Sequence, residues 1–156
     1  GYLVTITVIA GSFFRPVGGW IADKIGGMRF LGILYSVITV CAFAIATMPS
    51  SFLVMLLYTS VMMACLGMGN GSVFQIVPQR FSKEIGVVTG IVGAAGGLGG
   101  YLLPKYILGP LKESTGSHVT GFLVVGSIVL VTTLIFLAVT RSWRKSWAST
   151  DSGINF

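Results

Sequence analysis

Apolar residues run along this chain in five blocks, near residues 2–20, 30–48, 52–77, 85–108 and 120–140, separated by short polar breaks. Each block is close to the ~20 residues that a helix needs to cross the hydrocarbon core of a bilayer, so each predicts a membrane-spanning helix. The breaks "ADKIGGMR", "MPSS", "PQRFSKE" and "GPLKESTGSH" hold the glycines, prolines and charges. They are short, as connections between antiparallel neighbours are. The second block, "FLGILYSVITVCAFAIATM", and the fifth, "GFLVVGSIVLVTTLIFLAVT", are apolar on every side except for small hydroxyls. They are expected to face lipid. The pattern therefore predicts an all-α membrane protein, with a helical bundle over residues 1–141 and a tail over 142–156.

Composition agrees with a lipid solvent. Hydrophobic residues make up 54% of the 156 and charged residues 9%, against roughly 25% charged in soluble domains. The 22 glycines are about twice the usual share of about 7%, as expected where membrane helices press their backbones together. Lys24, Arg29, Arg80, Lys83, Arg141, Arg144 and Lys145 fall on one side of the alternating spans, and only Lys105 and Lys112 on the other. The richer side is expected to be cytoplasmic. The first helix then runs inward through the cytoplasmic (inner) membrane, and the tail "RSWRKSWASTDSGINF" is cytoplasmic, with Trp143 and Trp147 at the interface and the remainder disordered.

Several function classes drop out. The net charge of +6 comes from residues at the ends of apolar blocks, with no basic stripe interleaved with aromatics, so nucleic acid is not an expected partner. Cys41 and Cys65 lie within apolar blocks without paired spacing and read as packing residues, so neither a disulfide framework nor a metal site is implied. No nucleophile, base and orienting group share a motif, so neither an enzyme nor a cofactor is expected. The chain opens at Gly1 in an apolar run without a signal peptide and reads as a fragment.

The chemistry concentrates on Arg15, in "GSFFRPVGGWIADKIGG". Counted from Asp23 at the cytoplasmic end it lies eight residues up the helix, or about 12 Å at 1.5 Å per residue, against about 15 Å for half the core. One reading has Arg15 snorkel to the headgroups. Side chains on a helix lean toward its N-terminus, here the outer end, which points Arg15 at the midplane instead. An unpaired arginine at that depth costs from about 2.5 kcal/mol upward, so it needs a partner or a wet cavity. Asp23, Glu84, Glu113 and Asp151 all fall in loops or the tail, so no acid of this chain offsets the charge, and an anion is one candidate partner beside a wet cavity. A guanidinium suits a flat oxyanion because it is planar, permanently charged and donates two parallel hydrogen bonds. Thr7, Gly11, Arg15 and Gly18 step by four, four and three along one face. Pro16 removes the bond to the Ser12 carbonyl, and the irregularity suits a cavity wall.

Two further helices carry small or polar residues. Gly86, Gly90, Gly93, Gly97 and Gly100 in "GVVTGIVGAAGGLGGYLLP" fall within about 80° of one face, and Gly96 and Gly99 widen the groove. Such a stripe predicts close helix packing, while Gly93 and Gly97 leave backbone open to a small ligand. In "ACLGMGNGSVFQIVPQRF", Ala64, Gly67 and Gly71 share a packing face, and Asn70 and Gln75 are amides in apolar sequence. Buried amides need partners. Asn70 suits either a neighbouring helix or the pathway, and Gln75, nearer the cytoplasmic end, reads as structural.

These motifs together resemble a known family. "GGWIADKIGG" resembles the loop motif of major facilitator superfamily transporters, with Gly19, Asp23, Lys24 and Gly26 matching and the usual basic run reduced to Arg29. Combined with "GMGNGSVFQIVPQRF" and "GIVGAAGGLGGYLLP", it resembles the C-terminal half of the nitrate/nitrite porter family. That resemblance implies helices eight to twelve of a twelve-helix transporter, with Arg15 as the arginine that grips the anion from this half. It implies alternating access with the glycine stripe as a sliding surface, nitrate or nitrite as substrate, a gating loop at Gly19, Asp23, Lys24 and Arg29, and a monomer when full length. Helices one to seven, and the partner arginine among them, then lie in the missing N-terminal half. No acid or histidine occurs within the spans, His118 being in an outer loop, which favours nitrate/nitrite antiport over proton-coupled uptake. A carrier for another small anion, an anion pore and a membrane sensor remain as alternatives.

Overall fold

The computed structural model describes residues 2–47 and 51–147. Within them the chain forms helices α1 (Tyr2–Ile25), α2 (Gly27–Thr47), α3 (Phe52–Arg80), α4 (Ile85–Leu102), α5 (Gly109–Thr115) and α6 (His118–Trp147). Four helical stretches among these residues are long and apolar enough to cross a membrane: Gly27–Thr47, Phe52–Arg80, Ile85–Thr115 and Val119–Ser142. The 24 residues of α1 extend about 36 Å and match them in reach.

The helices overrun the apolar blocks, because polar residues at a bilayer surface continue a helix readily. Most of "ADKIGGMR" is helical, and only Gly26 interrupts it. Its φ of 90° is a conformation that glycine adopts without steric cost. Its N–H closes α1 on the Ala22 carbonyl (3.0 Å) while its own carbonyl accepts the Phe30 N–H that opens α2 (3.0 Å). Lys24 and Arg80 occupy the last turns of α1 and α3, where a cation complements the helix dipole. The segment 142–147, expected in the tail, continues α6. Residues 148–156 and positions 48–50 of the "MPSS" break lie outside the described residues.

Between α4 and α5 the chain takes a π-helical course over Leu103–Leu108. Pro104 and Pro110 lack the N–H that ordinary helical bonds would require. The wider turn keeps the chain bonded, with the Gly109 N–H donating to the Pro104 carbonyl. The expected break "GPLKESTGSH" is therefore mostly helical, and Gly116 at φ 64° closes α5 by donating its N–H to the Lys112 carbonyl.

The core gathers around α2, which packs against α3 and α6, while α1 packs chiefly against α3. Phe30, Leu34, Ile38, Cys41 and Ala42 of α2 join Ala22 of α1 and Met62 and Cys65 of α3 in one buried cluster. Both cysteines are free and buried there, as packing residues. The expectation that the second block faces lipid needs correction: α2 is the central helix, and only one flank, with Ile33 and Val40, is exposed. Apolarity on every side suits a protein neighbour as well as an acyl chain. The fifth block keeps an exposed outer flank, with Val131, Leu134 and Ile135. Its buried Thr133 meets Thr39 of α2, their hydroxyl oxygens 3.2 Å apart.

The closest backbone approach joins α1 and α3. A Cβ at Gly67 would run into the Gly11 carbonyl, one at Gly71 into the Arg15 carbonyl, and one at Gly18 into the backbone of Met68. Absent side chains thus bring two backbones into direct contact. Ser72, fully buried, extends the seam, its hydroxyl shared between the carbonyls of Met68 (2.9 Å) and Gly18 (3.3 Å). Gly11 and Gly18, which share the face of Arg15, serve in this packing.

Candidate functional site

A cavity of ≈ 640 Å³ opens between the helices and is lined by Arg15 of α1, Tyr35 of α2, Asn70 and Phe74 of α3, and Gly93, Gly96 and Gly97 of α4. The four residues expected to bind substrate, Arg15, Asn70, Gly93 and Gly97, thus lie on one wall system although three different helices supply them. The close α1·α3 seam accounts for part of this. With the Arg15 carbonyl against Gly71, Arg15 and Asn70 are brought to neighbouring positions on two helices that touch.

The electrostatics of the cavity are simple. Arg15 is its cation, and no carboxylate is among the residues that line it. Leu31, Leu34, Ile38 and Val92 supply apolar wall, which lowers the local dielectric and strengthens any charge-assisted bond to the guanidinium. Asn70 adds an amide able to donate and accept. Gly93, Gly96 and Gly97 add backbone without side chains, and a Cβ at any of them would meet nothing within 4 Å. One guanidinium, one amide and a glycine wall together can hold a small, flat anion.

Sequence reasoning did not single out Tyr35 or Phe74. Tyr35 reaches the cavity from a helix assigned to lipid, and its ring also packs on Phe136 of α6 with centroids 5.4 Å apart. Phe74 sits four residues after Asn70 on α3, and that helical spacing was the available signal.

The glycine stripe on α4 has no close packing partner among the described residues. Gly86, Gly90, Gly99 and Gly100, like the cavity glycines, have no atom within 4 Å of an added Cβ, and α4 has no buried residue. Close glycine contacts among the described residues include Gly11, Gly18, Gly67 and Gly71 along the α1·α3 seam and Gly27 against Ile76. The stripe is a smooth open surface beside the cavity.

The loop-motif residues separate into two groups. Asp23 accepts a hydrogen bond from the Gln75 side-chain amide, which ties the end of α1 to α3. Lys24 lies over the Trp20 ring, 3.7 Å from its centroid, and Gly19 faces the Gly71 carbonyl at 3.8 Å from an added Cβ. Arg29 lies apart from them, lining a second groove between α2 and α6. Among the described residues no group of His, Cys, Asp and Glu is arranged to hold a metal ion.

Residues 1–104 match the family model described as Major Facilitator Superfamily. The chain is 34% identical over 141 residues to the "Nitrite extrusion protein" of Bacillus subtilis (strain 168), a match covering 88% of this chain and 34% of that protein. It is 38% identical over 137 residues to the "Probable nitrate transporter NarT" of Staphylococcus carnosus (strain TM300), covering 85% and 34%. To the protein of the same name from Staphylococcus aureus (strain bovine RF122 / ET3-1) it is 35% identical over 153 residues, covering 95% and 37%. The chain thus spans about a third of the length of these relatives. No solved structure matches it.

Proposed function

The chain belongs to the major facilitator superfamily, on the branch of the nitrate/nitrite porters, and from that premise we propose that it carries the C-terminal wall of an anion path. Its substrate is nitrate, nitrite or both, moved by alternating access across the cytoplasmic membrane, with the C-terminus on the cytoplasmic side. Residues 1–141 form helices eight to twelve, and an N-terminal half of the same protein closes the site from the opposite side.

One observation carries this reading: Arg15 is the cation of a cavity lined by Asn70, Gly93 and Gly97 and by no carboxylate. A guanidinium there attracts an anion, and its two parallel donors fit a planar oxyanion better than a spherical halide. The cavity is far larger than such an anion, which suits a site completed by a facing half. The names of the relatives support nitrate and nitrite as the planar anions concerned. Antiport is the reading we favour over proton coupling, since among the described residues no acid or histidine lines the cavity.

The test is the full-length protein with Arg15→Lys, which keeps the charge and loses the fork. Nitrate affinity should fall at least about tenfold, or about 1.4 kcal/mol. Unchanged affinity removes Arg15 from the site. Competition by nitrite, formate and chloride against nitrate uptake into liposomes separates planar oxyanions from anions in general. Acceleration of tracer efflux by external nitrate distinguishes a carrier from a pore.

A further inference from the structure

A second groove, of ≈ 500 Å³, runs between α2 and α6, away from the Arg15 cavity. We propose that it binds an anionic phospholipid of the cytoplasmic leaflet, with the phosphate between Arg29 and Arg141 and an acyl chain along the groove.

Three independent features meet there. The walls are apolar, formed by Ile33 and Val37 of α2 and Phe136 and Leu137 of α6. Two guanidiniums line it, Arg29 from α2 and Arg141 from α6, and no carboxylate lines it among the described residues. Two like charges converging from separate helices repel one another, and a bound anion converts that repulsion into two charge-assisted contacts. Thr140 lines the groove beside them, its hydroxyl oxygen buried without a hydrogen-bond partner.

The levels agree with this occupant. Thr39 and Thr133 touch across the same two helices. Arg29 lies ten residues from Thr39 and Arg141 eight from Thr133, so both guanidiniums sit about 12–15 Å toward the same end of the antiparallel pair. That is about half the hydrocarbon thickness, so a contact near the midplane places both arginines at the headgroup level. It is the end that also carries Arg80 and Lys83, the cytoplasmic one in the orientation proposed above. A free anion would use the arginines and leave the apolar groove empty, whereas a phospholipid uses both. Gly32 lines the groove without a side chain, and an added Cβ would make ordinary van der Waals contact with the Leu137 Cδ2 (3.5 Å) and the Phe136 ring (3.7 Å), so a longer side chain there enters the groove.

The experiment titrates purified full-length protein with phosphatidylglycerol and with phosphatidylcholine and reads bound lipid by native mass spectrometry. Phosphatidylglycerol should bind at least about tenfold more tightly, and Arg29→Gln/Arg141→Gln should erase the difference while phosphatidylcholine binding stays as it was. Gly32→Leu fills the groove and leaves both charges, and should weaken both lipids. It decides the question alone if the double variant does not fold. Equal binding of the two lipids by the unaltered protein overturns the proposal, as does a preference retained in the double variant or undiminished binding to Gly32→Leu. Displacement of phosphatidylglycerol by inorganic phosphate at comparable concentration overturns it too, in favour of a free-anion site.

Discussion

The side-chain amide of Gln75 donates a hydrogen bond to the Asp23 carboxylate, so the loop-motif aspartate at the end of α1 is fastened to α3. A hydrogen bond to a charged acceptor contributes about 1.5–3 kcal/mol when shielded from water, and less at an exposed helix end. Gln75→Leu in the full-length protein should therefore cost about 1 kcal/mol in unfolding free energy. Combining it with Asp23→Ala should add almost nothing further, because the partner is already gone. A denaturant double-mutant cycle measures this, and full additivity would show that the two side chains do not cooperate.

Gly67 and Gly86 look alike in sequence, yet alanine should separate them sharply. At Gly67 the new methyl meets the carbonyl of Gly11, which is backbone and yields only if the helices part. Overpacking of that kind costs about 1–3 kcal/mol. At Gly86 nothing lies within 4 Å. Fluorescence-detected gel filtration after a heating series should show Gly67→Ala losing monodisperse protein at a lower temperature than Gly86→Ala. Equal thermal stability would contradict the α1·α3 seam.

Gly97 tests what the open stripe is for. It lines the cavity, and an added Cβ has free space around it, so Gly97→Ala should fold and still bind anion. If the stripe slides against a facing helix during transport, the methyl favours one packing over the other, and a bias of about 1.4 kcal/mol shifts the equilibrium tenfold. Exchange should slow while equilibrium affinity holds. A normal exchange rate rejects the sliding role, and lost binding alone assigns Gly97 to the site itself.

Thr39 and Thr133 should contribute little despite their burial. Thr39 donates its proton to the Tyr35 carbonyl at 2.8 Å and Thr133 to the Val129 carbonyl at 2.7 Å. Each hydroxyl has a single proton, so the 3.2 Å contact between them can only share one already given to a carbonyl. Thr39→Val, close in shape, should change stability by less than about 1 kcal/mol. A larger loss in the thermal midpoint would mean that the pair bonds across the helices at the expense of its own carbonyls.

Much of the architecture was readable because lipid imposes strong rules. Length and apolarity pointed to long helices, polar groups within apolar sequence named Arg15 and Asn70, and helical spacing named Gly93 and Gly97; all four line one cavity. The π-helical turn after α4 was present in sequence as Pro104 and Pro110, whose effect depends on bonds the chain then makes elsewhere.

What the residues alone determined is the character of each helix face; which neighbour that face meets was decided by tertiary structure. The stripe on α4 and the pair Gly67 and Gly71 on α3 carry the same signal, yet only the second is in close backbone contact among the described residues. The apolar α2 was equally suited to lipid and became the centre of the core. The physical reason is that in a bilayer an apolar or small-residue face gains little hydrophobic energy by choosing protein over lipid. The choice falls to shape, through the fit of a missing side chain against a particular carbonyl, and periodicity along one helix does not contain the shape of the next.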